Sequence, residues 1–171
     1  MKQWTKGGFL YYVAGVLLVL MTWLLLRFIG NPASLEVLRY VGWIIWAVSI
    51  VLLFLPMFVL RSKGRVEKGK DYTYTQALVD SGIYAVVRHP QYLGWILMYL
   101  AGILFGQHWL IALLGVAGMA CVYLISRQED QRLVEKFGDT YKRYMRSVPA
   151  MNLLAGVIRL VRRRDRGCSD L

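Results

Sequence analysis

Two short stretches of the chain gather side chains capable of polar chemistry. The first is Gly82-Ile83-Tyr84 followed by Arg88-His89-Pro90-Gln91-Tyr92-Leu93-Gly94. Pro90 suits the first position of a helix, where no N–H is needed, and the N–H groups of that turn can then bind an anion. His89 and Tyr92 flank them. The second stretch is Arg127-Gln128-Glu129-Asp130. Its acids are adjacent, so on a helix they point about 100° apart and a single ligand atom meets only one of them. Each stretch alone also fits a plainer reading: an interfacial His satisfied by water or headgroups, and a solvated helix surface with ordinary i,i+4 pairs. Function depends on whether the rest of the chain joins them.

The elements that must do so are set by charge. The chain has 171 residues, a net charge of +11 and 57% apolar residues. A chain this apolar cannot stay solvated as a disordered segment, and a soluble basic nucleic-acid module would need a polar surface around its charge. The class is integral membrane. Uncharged runs cover Gly7 to Leu26 (20 residues), Tyr40 to Leu60 (21) and Pro90 to Ser126 (37). About 20 residues cross the hydrocarbon, so the first two runs are single spans, the second with Pro56 as a kink near its end. The first is too long for a signal-peptide core and has no cleavage site after it, so it reads as retained.

The third run is too long for one crossing and reads as a tight hairpin broken at Gly106-Gln107-His108. Gly102 and Gly106, with Gly115 and Gly118 opposite, allow close helix approach. The fold expected is all-α: a single membrane domain of four spans at about 7–27, 40–60, 91–106 and 108–126. Four spans place 19 of the 21 Lys and Arg on one side, leaving Arg27 and Arg39 opposite, which the positive-inside tendency assigns to the cytoplasm with both termini.

Two further helices are expected at about 128–146 and 151–164. Leu133, Phe137, Tyr141, Tyr144 and Val148 mark an apolar stripe on the first. On the second, Leu153, Leu154, Val157, Ile158 and Val161 oppose Arg159, Arg162, Arg163 and Arg164, a pattern suited to anionic lipid. Cys121 and Cys168 form neither a disulfide framework nor a metal motif, and Cys168-Ser169-Asp170-Leu171 is a poor prenylation box. The spans carry no Asp or Glu, which disfavours a proton-coupled transporter. A hairpin from Pro90 to Ser126 returns the chain to the face it left, so His89 and Glu129 are expected to come together there.

The ordered string GIYxxxRHPxYxG over Gly82–Gly94, the apolar hairpin, the acids Glu129-Asp130, then Phe137-Gly138-Asp139-x-Tyr141-x-x-Tyr144 and Val148-Pro149 resembles the isoprenylcysteine carboxyl methyltransferase and phospholipid methyltransferase superfamily. The resemblance covers roughly Leu78 to Pro149. It implies a membrane methyltransferase using S-adenosylmethionine, with Arg88, His89, Pro90, Tyr92, Gly94, Glu129 and Asp130 around the cofactor and no metal. Asp130 replaces the second Glu of the family pair. Ala150 stands where relatives often have Arg followed by a second Pro, in a segment near their substrate entrance.

S-adenosylmethionine carries an ammonium and a carboxylate. Glu129 can meet the first, and the Arg88-His89 helix start the second. A carboxylate acceptor needs no base, whereas an ammonium or thiol must first lose a proton, for which His89 or Glu129 is the candidate base. The partners implied are a lipophilic acceptor and membrane lipids, without nucleic acid, and a prokaryotic cell membrane is favoured over the endoplasmic reticulum. The rival reading is a non-catalytic membrane protein that keeps the scaffold for binding or assembly.

Overall fold

The structure is a computed structural model, and it describes residues 4–28, 35–64 and 77–168. Arg65, Lys68 and Lys70 of the basic loop, Lys2, and Ser169, Asp170 and Leu171 of the terminal tetrapeptide lie outside the described residues. The described chain is helical: α1 (Trp4–Phe28), α2 (Glu36–Lys63), a 3-10 turn (Gly82–Ala85), α3 (Pro90–Gly106), α4 (Trp109–Phe137), α5 (Asp139–Ser147) and α6 (Leu153–Cys168). Gly8–Arg27 within α1, all of α2 and α4 are long and apolar enough to cross a bilayer. α3, at 17 residues, is about 25 Å long and slightly short of the ~30 Å hydrocarbon. The protein is an integral membrane, all-α molecule.

Contacts divide it into two compact units: Met1–Leu52 with Tyr92–Gln131, and Leu53–Gln91 with Arg132–Leu171. In the first, α1 exposes Phe9, Tyr12, Val19, Trp23 and Leu26, as a helix bathed in lipid should. Its other side joins a core of Ala14, Met21, Tyr99, Ile111, Val122 and Ile125. Glycines make this core possible. Met21 and Leu25 of α1 lie over Gly102, Ile103 of α3 lies over Gly115, and the Tyr99 ring lies over Gly118. The small residues of α3 and α4 therefore do not meet as two smooth faces: each receives a bulky side chain, and Gly102 serves α1. The Tyr99 hydroxyl donates to the Ala14 carbonyl at 2.5 Å, satisfying a buried phenol without water.

The hairpin breaks where the sequence indicates. Gln107 adopts φ 42°, a left-handed conformation uncommon outside glycine. It is held there by its own amide: Nε2 donates to the Leu35 carbonyl at 2.9 Å, and Oε1 accepts from the Leu35 N–H at 2.7 Å.

The sequence places the end of the fourth span near Ser126 and a new helix at about 128–146. The structure differs: α4 continues for 29 residues to Phe137. Residues 127–136 are mostly polar but contain no helix breaker, and the first one met is Gly138, at φ 58°. The expected helix is thus split, its first ten residues forming the end of α4 and the rest forming α5. α2 likewise runs on past Pro56 to Lys63. In the second unit Tyr141, Tyr144 and Val148 form a buried cluster with Leu78, Leu133, Val134, Phe137 and Met145 against it. The apolar stripe is therefore a local core that closes α5 onto the end of α4.

Candidate active site

Arg88 and His89 sit on a segment that the second unit grips by its backbone. Gly82, at φ 65°, begins the 3-10 turn, and the N–H groups of Val86 and Val87 both donate to the Ile83 carbonyl at 3.0 Å. Lys63 Nζ donates to Ser81 Oγ at 3.0 Å, tying the approach to the end of α2. Three successive carbonyls then turn toward α5 and α6. That of Tyr84 accepts from the Tyr144 hydroxyl at 2.6 Å. That of Ala85 accepts from Arg159 Nη2. That of Val86 lies where a Cβ on residue 156 would be, so only glycine fits there.

The next residues use their donors. Arg88 N–H donates to the Pro149 carbonyl and His89 N–H to the Ala150 carbonyl, each at 3.0 Å. From residue 84 to 89 the main chain is thus fixed by α5, α6 and the link between them. Val87 is fully buried and His89 is 5% exposed. Pro90 follows and opens α3, consistent with a first helical position that needs no N–H.

Tyr144 is the central buried polar group of this grip. Burial pushes its phenol above the ordinary value, Tyr84 and Asp80 add to the rise, and Arg88 and Arg159 oppose it. It stays a neutral donor. On the outer side of α5, Asp139 is held below its ordinary value by a hydrogen bond from Lys142 at 2.9 Å and by that ammonium's charge.

In the first unit the other sequence-identified residues lie at one end of the α3–α4 hairpin. Tyr99 over Gly118 and Ile103 over Gly115 set an antiparallel register. Continued toward the start of α3, it brings Tyr92 level with Ile125 and Ser126, one turn before Glu129 and Asp130. Tyr92 and the buried Ile125 belong to the same apolar cluster, Gly94 is buried, and the Tyr92 hydroxyl is 2.6 Å from that of Tyr11 in α1. The acid pair is asymmetric: Asp130 is 6% exposed, while Glu129 is half-buried. The residue that replaces the family's second Glu is the more enclosed one.

Among the described residues, no three His, Cys, Asp or Glu are grouped to hold a metal ion.

Sequence reasoning missed Tyr11, Gly156 and the Pro149 and Ala150 carbonyls, and it grouped Arg159 with the arginines meant for anionic lipid, whereas Arg159 donates to the Ala85 carbonyl. Only Gly156 left a trace, as a glycine inside an amphipathic helix, which often marks a close approach. The carbonyls left none, because any residue supplies one.

Comparison with known proteins bears on the family of the chain, not on the roles of single residues. The chain is 32% identical over 100 residues to a protein-S-isoprenylcysteine O-methyltransferase of Schizosaccharomyces pombe, covering 53% of this chain and 42% of that protein. It is 30% identical over 118 residues to a methanethiol S-methyltransferase of Crocosphaera subtropica, covering 64% of this chain and 42% of the relative. The matched region thus spans well under half the length of either relative. No solved structure matches. The family model for phospholipid methyltransferase matches residues 37–140, which include Arg88–Gly94 and Glu129-Asp130, and the chain belongs to the phospholipid methyltransferase family.

Proposed function

We propose that the chain is an S-adenosylmethionine-dependent methyltransferase that modifies a lipophilic acceptor at the cytoplasmic surface of the membrane, with both termini on that side, in a prokaryotic cell membrane. The observation that carries the reading is the family match over residues 37–140, which takes in both polar clusters. The donor chemistry of those clusters fits the cofactor. Arg88 and the positive end of α3 suit a carboxylate, and Glu129 with the buried Asp130 suits an ammonium.

When bound, S-adenosylmethionine supplies a methyl carbon that gains a bond to the acceptor's lone pair as its bond to sulfur breaks, leaving S-adenosylhomocysteine. The chain's own work is positioning and exclusion of water. The backbone grip on residues 84–89 fixes His89 and Arg88, and a rigid frame of this kind is what in-line displacement needs. The two relatives carry the names of an isoprenylcysteine O-methyltransferase and a methanethiol S-methyltransferase, so carboxylate and thiol acceptors are both within the class. A thiol or amine acceptor requires a base, and His89 or Glu129 takes that proton.

The test is calorimetric titration of purified full chain with S-adenosylhomocysteine, beside incubation of native membranes with methyl-labelled S-adenosylmethionine. Saturable binding weakened by His89→Ala and by Glu129→Ala is expected. Absence of binding to folded protein would sink the proposal, and binding without transfer to any membrane component would favour a non-catalytic scaffold.

A further inference from the structure

α6 has two unlike sides. Gly156 and Arg159 face the Val86 and Ala85 carbonyls. Leu154 and Ile158 stand two residues either side of Gly156, about 200° around the helix, and so point away from it. They are 76% and 52% exposed, and Val157 and Val161 beside them are 44% and 53% exposed. The strip is continuous at three- and four-residue spacing.

Charge identifies what covers it. The charged residues of α6 are five arginines (Arg159, Arg162, Arg163, Arg164 and Arg166) and Asp165. A second copy of the helix would set arginines against arginines, whereas an anionic bilayer surface accepts both an apolar strip and an excess of basic residues.

We propose that α6 docks in the plane of an anionic lipid surface, and that docking braces residues 84–89 through Gly156 and Arg159. The lipid surface is then a ligand of the segment that carries Arg88 and His89. Hydrogen exchange reads this without reference to methyl transfer.

Full-length protein is placed in nanodiscs of phosphatidylcholine alone, and of phosphatidylcholine with phosphatidylglycerol, and exchange is followed over residues 153–161 and 84–89. With phosphatidylglycerol, exchange is expected to slow about five- to thirtyfold in both segments, the size of one or two arginines at a negative leaflet. Ile158→Glu abolishes the lipid dependence in both; Leu154→Glu serves if that variant does not fold. Arg159→Gln keeps it in 153–161 and weakens it in 84–89. Equal exchange in the two lipids overturns the docking. Slowing confined to 153–161 in the unmodified protein overturns the bracing. Protection that follows the number of copies per disc instead of phosphatidylglycerol assigns the strip to a second copy and overturns the proposal.

Discussion

The Tyr144 hydroxyl reaches back 60 residues to donate to the Tyr84 carbonyl at 2.6 Å. That bond joins α5 to the turn that leads into Arg88 and His89, and Tyr144 itself is buried. Tyr144→Phe takes the donor from the Tyr84 carbonyl and is expected to lower stability in detergent by about 1 kcal/mol. The bond also has a pH signature. Burial raises the phenol's folded-state value, so above about pH 10 the unfolded phenol ionises while the folded one does not. The unfolded state then binds fewer protons, and stability falls as pH rises. Thermal unfolding between pH 9 and about 11 should therefore show a steeper decline for the unmodified protein than for Tyr144→Phe; parallel declines would show that Tyr144 is not the buried group responsible.

Gly156 separates close approach from helix propensity. Alanine favours a helix over glycine by about 1 kcal/mol, yet here its methyl would overlap the Val86 carbonyl. Gly156→Ala is expected to destabilise by about 1–3 kcal/mol, as overpacking does, and to weaken S-adenosylhomocysteine binding. A stabilised variant with unchanged binding would mean that α6 does not press on residue 86.

Ala150 tests whether its side chain or its backbone matters. Its carbonyl accepts from His89 N–H, so Ala150→Ser is expected to bind S-adenosylhomocysteine within about twofold of the unmodified chain, since substitutions away from specific features stay within about 0.5 kcal/mol. Inserting one residue between Val148 and Pro149 shifts both acceptors and should abolish binding while helix content by circular dichroism is retained.

What the sequence displays and what it hides divide along a physical line. Charge gaps locate α1 to α4 because lipid excludes charge from every span, and Gly106-Gln107-His108 locates the turn because it interrupts an otherwise uncharged run. The ordered RHPxYxG string and the Glu129-Asp130 pair carry the family. The grip on residues 84–89 stays hidden because it is made of carbonyls and N–H groups, which every residue but proline has in full. The boundary near residue 127 is misplaced for a related reason: the change from apolar to polar marks the edge of the lipid, whereas a helix ends at a residue that cannot continue it, here Gly138.

Gln107 gives a prediction in which one residue has two opposing effects. Its left-handed backbone favours glycine, and its amide makes two bonds to Leu35. Gln107→Ala loses both bonds and keeps the unfavourable backbone. Gln107→Gly loses the bonds but relieves the backbone, so it should be about 1 kcal/mol more stable than the alanine variant. Both should fall below the unmodified protein in thermal unfolding. A reversed order of the two variants would show that residue 107 does not need a positive φ.

Asp130 and Glu129 offer the sharpest comparison within the candidate site. They are adjacent on α4 and differ in enclosure, with Asp130 at 6% exposure and Glu129 half-buried. A carboxylate away from water interacts more strongly with a bound cation than one that solvent screens. Asp130→Asn preserves shape and removes charge, as does Glu129→Gln. If Asp130 is the acid that meets the cofactor's ammonium, Asp130→Asn should weaken S-adenosylhomocysteine binding by about tenfold or more, the scale of one charged hydrogen bond, and Glu129→Gln by less. The salt dependence of binding provides an independent check, because a screened carboxylate loses more of its effect at high ionic strength. A larger loss from Glu129→Gln, with Asp130→Asn affecting only thermal stability, would return the ammonium to Glu129 and leave Asp130 as a structural acid.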